Sequence, residues 1–398
     1  MQHLSQSPTD PAFEQDPYPF YARARSFGDV VWWDDYALPC AVSAEAVNAI
    51  LRDRRLGREP VEPMAVPDHL APFYAVEAHS MLELEPPRHT RLRGLVLRAF
   101  TSRRIAALAP EIEVLCHRLI DEMPRGEIDL LPHYAQRLPV IVIARLLGVP
   151  EDMSAQLLAW SNAMVGMYQA RRTRAMEDAA STAARDFADF LRGYVETRRS
   201  APADDLITNL IAAEEDGARL TTDELITTCI LLLNAGHEAT VHTLGNGVKA
   251  VLEHGAQDRL SPGRIEGTVE EILRFDPPLH MFTRTAYEDV TLFGCDLKRG
   301  DSIACLLGAA NRDPAAFPTP DRFDPARPLR ANAAFGAGIH FCVGAPLARL
   351  ELQIGLRVLF ERLPDLSLTA PPRYADVYHF HGLERLLVSA KAEASSST

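Results

Sequence analysis

Cys342 lies in the segment Phe335-Gly336-Ala337-Gly338-Ile339-His340-Phe341-Cys342-Val343-Gly344, just before a stretch of helical periodicity. Gly336, Gly338 and Gly344 permit positive φ angles and let the backbone approach a flat ligand closely. Near a helix N-terminus, the dipole and free N–H groups favour thiolate over thiol, and the thiolate is the metal-ligating form. A lone cysteine is more often a small buried hydrophobe, so its neighbours must decide between the readings. A second group with chemical potential is Ala235-Gly236-His237-Glu238-Ala239-Thr240, inside an otherwise apolar helical run. A mid-helix glycine costs roughly 1 kcal/mol relative to alanine. A carboxylate among apolar residues is costly unless paired or hydrated. Together they mark an opening where water and a small molecule reach the helix.

Charged groups supply two more sets. In Pro86-Pro87-Arg88-His89-Thr90-Arg91-Leu92-Arg93, the residues His89 and Arg93 share one face of a predicted helix. Glu271 and Arg274 stand at i and i+3 and pair on another helix face. Either set alone reads as a solvated surface, where such pairs contribute little.

The complete pattern Phe-x-x-Gly-x-His-x-Cys-x-Gly at 335–344 resembles the signature of the cytochrome P-450 family. The other elements resemble that family from about Asp16 to Leu383. The resemblance implies a mostly α protein with small β-sheets, the family's triangular fold around one buried b-type haem. It implies Cys342 as axial ligand of the iron, where a thiolate pushes electron density toward dioxygen and helps cleave it. Phe335, Gly344, Ala235, Gly236 and Ala239 match positions that line the haem. His89, Arg93, Arg284 and His340 match positions that bind the haem propionates, carboxylates that need cationic donors. Glu271 and Arg274 match a structural pair, with Arg322 of Pro320-Asp321-Arg322-Phe323 as the expected third member.

The family's helix pattern is (Ala/Gly)-Gly-x-(Asp/Glu)-Thr, the last two residues serving proton delivery during dioxygen activation. This chain departs from it: the threonine position is Ala239, and Thr240 follows. One residue turns a side chain by about 100° around a helix, so Thr240 is not an automatic replacement. Glu238 and Thr240 are the expected catalytic groups, with ordered water or a substrate hydroxyl standing in for the missing alcohol. The resemblance also places substrate against Met81, Met164, Leu232, Met281, Phe282 and Phe380, apolar and adaptable side chains suited to a small-to-medium hydrophobic molecule. His280, His379 and His381 are candidates to anchor a polar group.

By the same resemblance, electrons come from NAD(P)H through a separate ferredoxin and ferredoxin reductase, because the chain ends about fifty residues after Cys342. Arg98, Arg103, Arg104 and Arg349 are candidates to meet an acidic ferredoxin. The implied reaction inserts one atom of O2 into an organic substrate. Two alternatives stay open: a peroxide-driven haem-thiolate hydroxylase, which Ala239 encourages, and a haem-binding sensor or carrier without turnover.

The elements that must position these residues are legible too. Thr221 and Glu224 form a capping box for a helix expected to run to about His254. Pro346 suits the first turn of a last helix striped by Leu347, Leu350, Ile354 and Val358. Val30–Trp33 reads as a strand, and short β runs follow Asp289. The 398 residues are 47% hydrophobic and 24% charged, with formal charge −13, so a large core is available and nucleic acid is opposed as a partner. No run approaches about eighteen apolar residues, so no membrane span is expected. Six cysteines without a CxxC spacing and the lack of a signal-peptide pattern fit a cytoplasmic protein. The chain reads as one domain over 1–398, with 1–15 and 391–398 as flexible tails.

Overall fold

The capping box forms as expected: the Glu224 amide donates to Thr221 Oγ1 at 3.2 Å and the Thr221 amide donates to Glu224 Oε2 at 2.9 Å. From it the long helix Thr222–Glu253 runs 32 residues in the computed structural model, which describes residues 1–62, 65–169, 172–213, 217 and 219–389. Leu225, Cys229, Leu233, Leu244, Val248 and Val251 bury its length. Helices Arg137–Leu147, Ser154–Val165, Arg174–Ser200 and Ala345–Arg362 pack around it. A helix apolar on most sides must be surrounded in this way. The last helix carries Pro346 in its first turn, as expected. Among the described residues, no helix is long and apolar enough to cross a membrane.

The β portion is small. A six-stranded sheet runs in the order His3–Leu4, Val30–Trp33, Leu38–Ala41, Ser302–Leu306, Met281–Ala286, Leu56–Gly57. Its fourth and fifth strands pair antiparallel, with Phe282 opposite Cys305 and Arg284 opposite Ile303. Successive side chains on a strand leave on opposite faces. Arg284 therefore goes into the protein body, and its position is set by the strand.

The N-terminus corrects the expectation of a free tail at 1–15. His3–Leu4 pairs in parallel with Trp32–Trp33, and Asp10 caps a helix at Pro11–Gln15. Phe13 packs with its ring 5.6 Å from Phe20 and 5.8 Å from Trp33. Gln15 exchanges two 2.9 Å hydrogen bonds with the Tyr374 backbone. The Phe13 ring and the Gln15 amide fasten a segment whose composition is otherwise polar. The expected C-terminal tail 391–398 lies outside the described residues.

Candidate functional site

The cysteine loop is a tight hairpin of backbone. Gly336 and Gly338 take φ of 67° and 71°, and a Cβ on Gly338 would stand 2.3 Å from the Leu51 carbonyl oxygen. Only glycine fits there. The Cys342 amide donates to Phe335 O at 3.0 Å, closing the loop, and the chain enters the last helix at Ala345. Burial pushes the Cys342 thiol up, while the amides of Gly344 and Ala345 and the guanidinium groups of Arg93 and Arg349 pull it back. The balance stays above the ordinary thiol range, with the two amides at the helix start favouring the thiolate as expected. A coordinating metal ion deprotonates such a thiol outright. Cys342 is the one cysteine of six that is not fully buried. Cys116, Cys229 and Cys305 are pushed up to about 12, chiefly by burial.

Basic groups converge beside this loop. Arg93 donates to the Phe341 carbonyl at 2.6 Å. His89 is 2% exposed, and neither of its ring nitrogens has a hydrogen-bond partner among the described residues. Its ring lies 4.4 Å from that of His340, whose Nε2 meets Glu85 Oε1 at 2.8 Å. Burial, with His340 and Arg93 adding to it, lowers His89 to about 4. Arg284 is buried and donates to its neighbour's carbonyl, Thr283 O, at 2.8 Å. A buried imidazole with no hydrogen-bond partner among the described residues, with the Arg93 guanidinium acting on it, suits an anion, and the carboxylates of a haem fit that donor set.

On the long helix, Glu238 Oε1 stands 3.1 Å from His242 Nε2, and Oε2 stands 3.7 Å from His237 Nδ1. Burial pushes the Glu238 carboxyl up, but His242 and then His237 outweigh it and hold the group below the usual carboxylate range. Thr240 does not take the place of the missing alcohol at Ala239. Its hydroxyl donates to Gly236 O at 2.9 Å, so its one proton is spent on the helix backbone. The Thr240 oxygen keeps its lone pairs as acceptors. Ala235 and Gly236 lie one turn ahead of it, and a Cβ on Gly236 would meet nothing nearer than Ile143 Cδ1 at 3.9 Å.

The structural pair forms deep in the protein. Arg274 donates to both Glu271 oxygens at 2.7 Å, and the two residues are 2% and 3% exposed. The third member is not Arg322. Arg327 Nε donates to Glu271 Oε2 at 3.2 Å, while Arg322 is exposed and gives only its backbone carbonyl, to Arg274 at 3.3 Å. The proline-rich coil turns between the two arginines, so spacing alone could not choose.

The expected substrate residues divide. Met164 Sδ accepts from Asn234 Nδ2 of the long helix at 3.7 Å, and the Phe380 ring lies 6.2 Å from His242. Met81, Met164 and Leu232 belong to the core around that helix. Phe282 packs against the cysteine loop, 3.2 Å from where a Gly336 Cβ would sit. Met281 is a correction: it joins the aromatic cluster of Phe13, Trp33 and Tyr378, on the far face of its strand. His280 and His381 are also buried, with His280 Nδ1 2.7 Å from the Tyr21 hydroxyl and His381 stacked on Tyr374. Sequence reasoning missed Arg58, Glu77 and Glu83. Arg58 meets Glu83 at 2.7 Å, and the Tyr168 hydroxyl donates to Glu77 at 3.5 Å. Burial, with Glu83 adding to it, pushes Glu77 up to about 8. Arg349 and Arg104, expected to face a partner, are engaged within the chain by Glu270 and Asp204.

The comparisons agree with this geometry. A family model for cytochrome P450 matches residues 265–365. Cytochrome P450 monooxygenase PikC of Streptomyces venezuelae is 39% identical over 383 residues, 90% of this chain and 87% of that protein. The polyketide biosynthesis cytochrome P450 PksS of Bacillus subtilis is 41% identical over 317 residues, 78% of this chain and 77% of its own length. A crystal structure of P450BioI, in complex with a hexadec-9Z-enoic acid-ligated acyl carrier protein, superposes with a TM-score of 0.90 at 33% identity, covering 96% of this chain and 99% of that one. The chain belongs to the cytochrome P450 family and has its mostly α fold. Its relatives are named monooxygenases and hydroxylases, oxidoreductases of a haem-dependent family that uses O2 and redox partners.

Proposed function

We propose that this chain is a single-domain enzyme that inserts one oxygen atom from O2 into a small-to-medium hydrophobic substrate. Cys342 ligates the haem iron, and His89, Arg93, Arg284 and His340 hold its propionates. The observation that carries this reading is the buried His89, without a hydrogen-bond partner among the described residues, with Arg93 and the cysteine loop, a donor set that suits an anion. When bound, thiolate-ligated haem supplies the activation of dioxygen. The chain's own residues do the rest. Phe335 and the loop glycines would hold the haem on the cysteine side, and Gly236 leaves room on the long helix for a small molecule. Glu238, the one carboxylate in the apolar middle of that helix, holds and passes protons, with ordered water or a substrate hydroxyl next to Ala239. Met164, against Asn234, and Phe380, beside His242, with Phe282 at the cysteine loop, bound the substrate space. The name of PksS, tied to polyketide biosynthesis, favours a polyketide-like substrate.

Electrons come from NAD(P)H through a ferredoxin and its reductase. The test supplies a surrogate ferredoxin, its reductase and NADPH with isotopically labelled dioxygen, and compares this with hydrogen peroxide alone. Product carrying one labelled oxygen from the reductant route supports the reading. Product from peroxide alone selects the peroxide-driven hydroxylase, and no product by either route selects a carrier.

A further inference from the structure

Glu238 is followed by Ala239, whose methyl group offers no hydrogen bond. The hydroxyls nearby are committed: Thr240 donates to Gly236 O at 2.9 Å and Thr243 to Ala239 O at 2.7 Å. His237 Nδ1, at 3.7 Å, is beyond hydrogen-bond reach. His242, one turn further along the same helix face, is within reach at 3.1 Å.

His242 is itself held from behind. A Cβ on Gly382 would fall 1.7 Å from its Nδ1, so the ring occupies space that only a glycine at 382 leaves open. The turn bearing Gly382 is braced: its amide donates to Phe380 O at 3.0 Å and its carbonyl accepts from Ala375 N at 2.9 Å. Phe380 flanks the ring as well. An imidazole packed between a stiff turn and a carboxylate has little freedom to leave.

We propose that His242 is the positioning residue for Glu238: its Nε2–H, donated to Oε1, fixes the carboxylate in one orientation. The inference rests on the monooxygenase reading above. The groups that act on Glu238 are His242 and His237, both from its own helix, and from the turn packed behind, His381 senses the charge of His242. His242 is also the largest influence holding the Glu238 carboxyl down against burial. A protein that merely filled space at 242 would leave Glu238 to be pushed up.

The test uses the haem-loaded protein and the variants His242→Leu and His242→Gln, the second of which keeps an N–H donor. Infrared difference spectra against pH follow the protonated carboxyl stretch of Glu238, assigned by its loss in Glu238→Gln. In His242→Leu the midpoint moves up by about one pH unit, and product formed per reductant consumed falls severalfold. His242→Gln restores most of that ratio. The proposal is overturned if His242→Leu leaves the midpoint in place, or if Leu and Gln variants lose the ratio equally. The carbon monoxide difference spectrum of each variant separates this failure from failure of the parent reading: an unchanged thiolate band leaves the monooxygenase standing.

Discussion

Arg274 grips Glu271 through both carboxylate oxygens at 2.7 Å, and the same guanidinium donates to the carbonyls of Asn311 and Pro320 at 2.9 Å each. One arginine thus ties the helix Ile265–Phe275 to the helix ending at Asn311 and to the coil that leads into the cysteine loop. Glu271 also takes the Asp324 amide at 2.8 Å. Removing one partner of a buried pair leaves an uncompensated charge, which costs about 3–5 kcal/mol. Arg274→Ala is expected to lose that much, with poor haem retention. Arg322→Ala should stay within about 0.5 kcal/mol of the parent, because its exposed side chain is not used. Urea midpoints of the two variants, with Arg327→Ala between them, check the order. Equal losses at Arg322 and Arg274 would contradict the corrected triad.

Much of this arrangement was legible before the structure. Thr221 and Glu224 state a helix start in local chemistry, and the glycine spacing around Cys342 states a loop. What was not legible depends on where the chain turns. Arg322 and Arg327 both lie in one proline-rich coil, and a single bend decides which reaches Glu271. The strand pair Met281 and Phe282 could have been separated in advance, since adjacent strand residues face opposite sides and cannot line one space together. Arg58 and Glu83 come from neighbouring loops with no periodicity. Phe13 anchors an N-terminus whose composition suggested a tail, because one aromatic ring in a complementary cluster outweighs a run of polar neighbours.

Gly338 is the position where a methyl group is least tolerable. Its φ of 71° disfavours any side chain, and the Leu51 carbonyl oxygen occupies the Cβ position to within 2.3 Å. Gly338→Ala is expected to displace the loop and cut haem incorporation severalfold, read as the Soret-to-protein absorbance ratio of purified material. A parental ratio would show that the loop yields more easily than the contact implies.

Ala239→Thr tests how far the missing alcohol limits the enzyme. If a substrate hydroxyl stands in for it, threonine raises product per reductant for substrates lacking that hydroxyl and leaves the hydroxylated ones unchanged. A uniform rise across all substrates would exclude substrate assistance. Thr240→Val is expected to leave the ratio near the parental value, because the Thr240 proton goes to Gly236 O.

Burial lowers His237 and His379 to about 4 and His381 to about 3. Above pH ~6.5 these groups are neutral in both folded and unfolded chains and add no pH dependence. Below it the unfolded chain binds protons that the folded chain refuses, so stability falls as pH drops toward 4. Each such histidine contributes about 1.4 kcal/mol per pH unit within that window. Urea midpoints at pH 7, 6 and 5 should decline steadily, and His237→Asn should flatten the slope. A midpoint independent of pH would contradict the burial of these rings as neutral species.

The central claim is that Cys342 ligates haem iron as a thiolate. The direct measurement is the carbon monoxide difference spectrum of the dithionite-reduced protein. The account predicts a strongly red-shifted Soret band that disappears in Cys342→His. A band where histidine-ligated haem proteins have theirs, or a folded protein that takes up no haem, would contradict it.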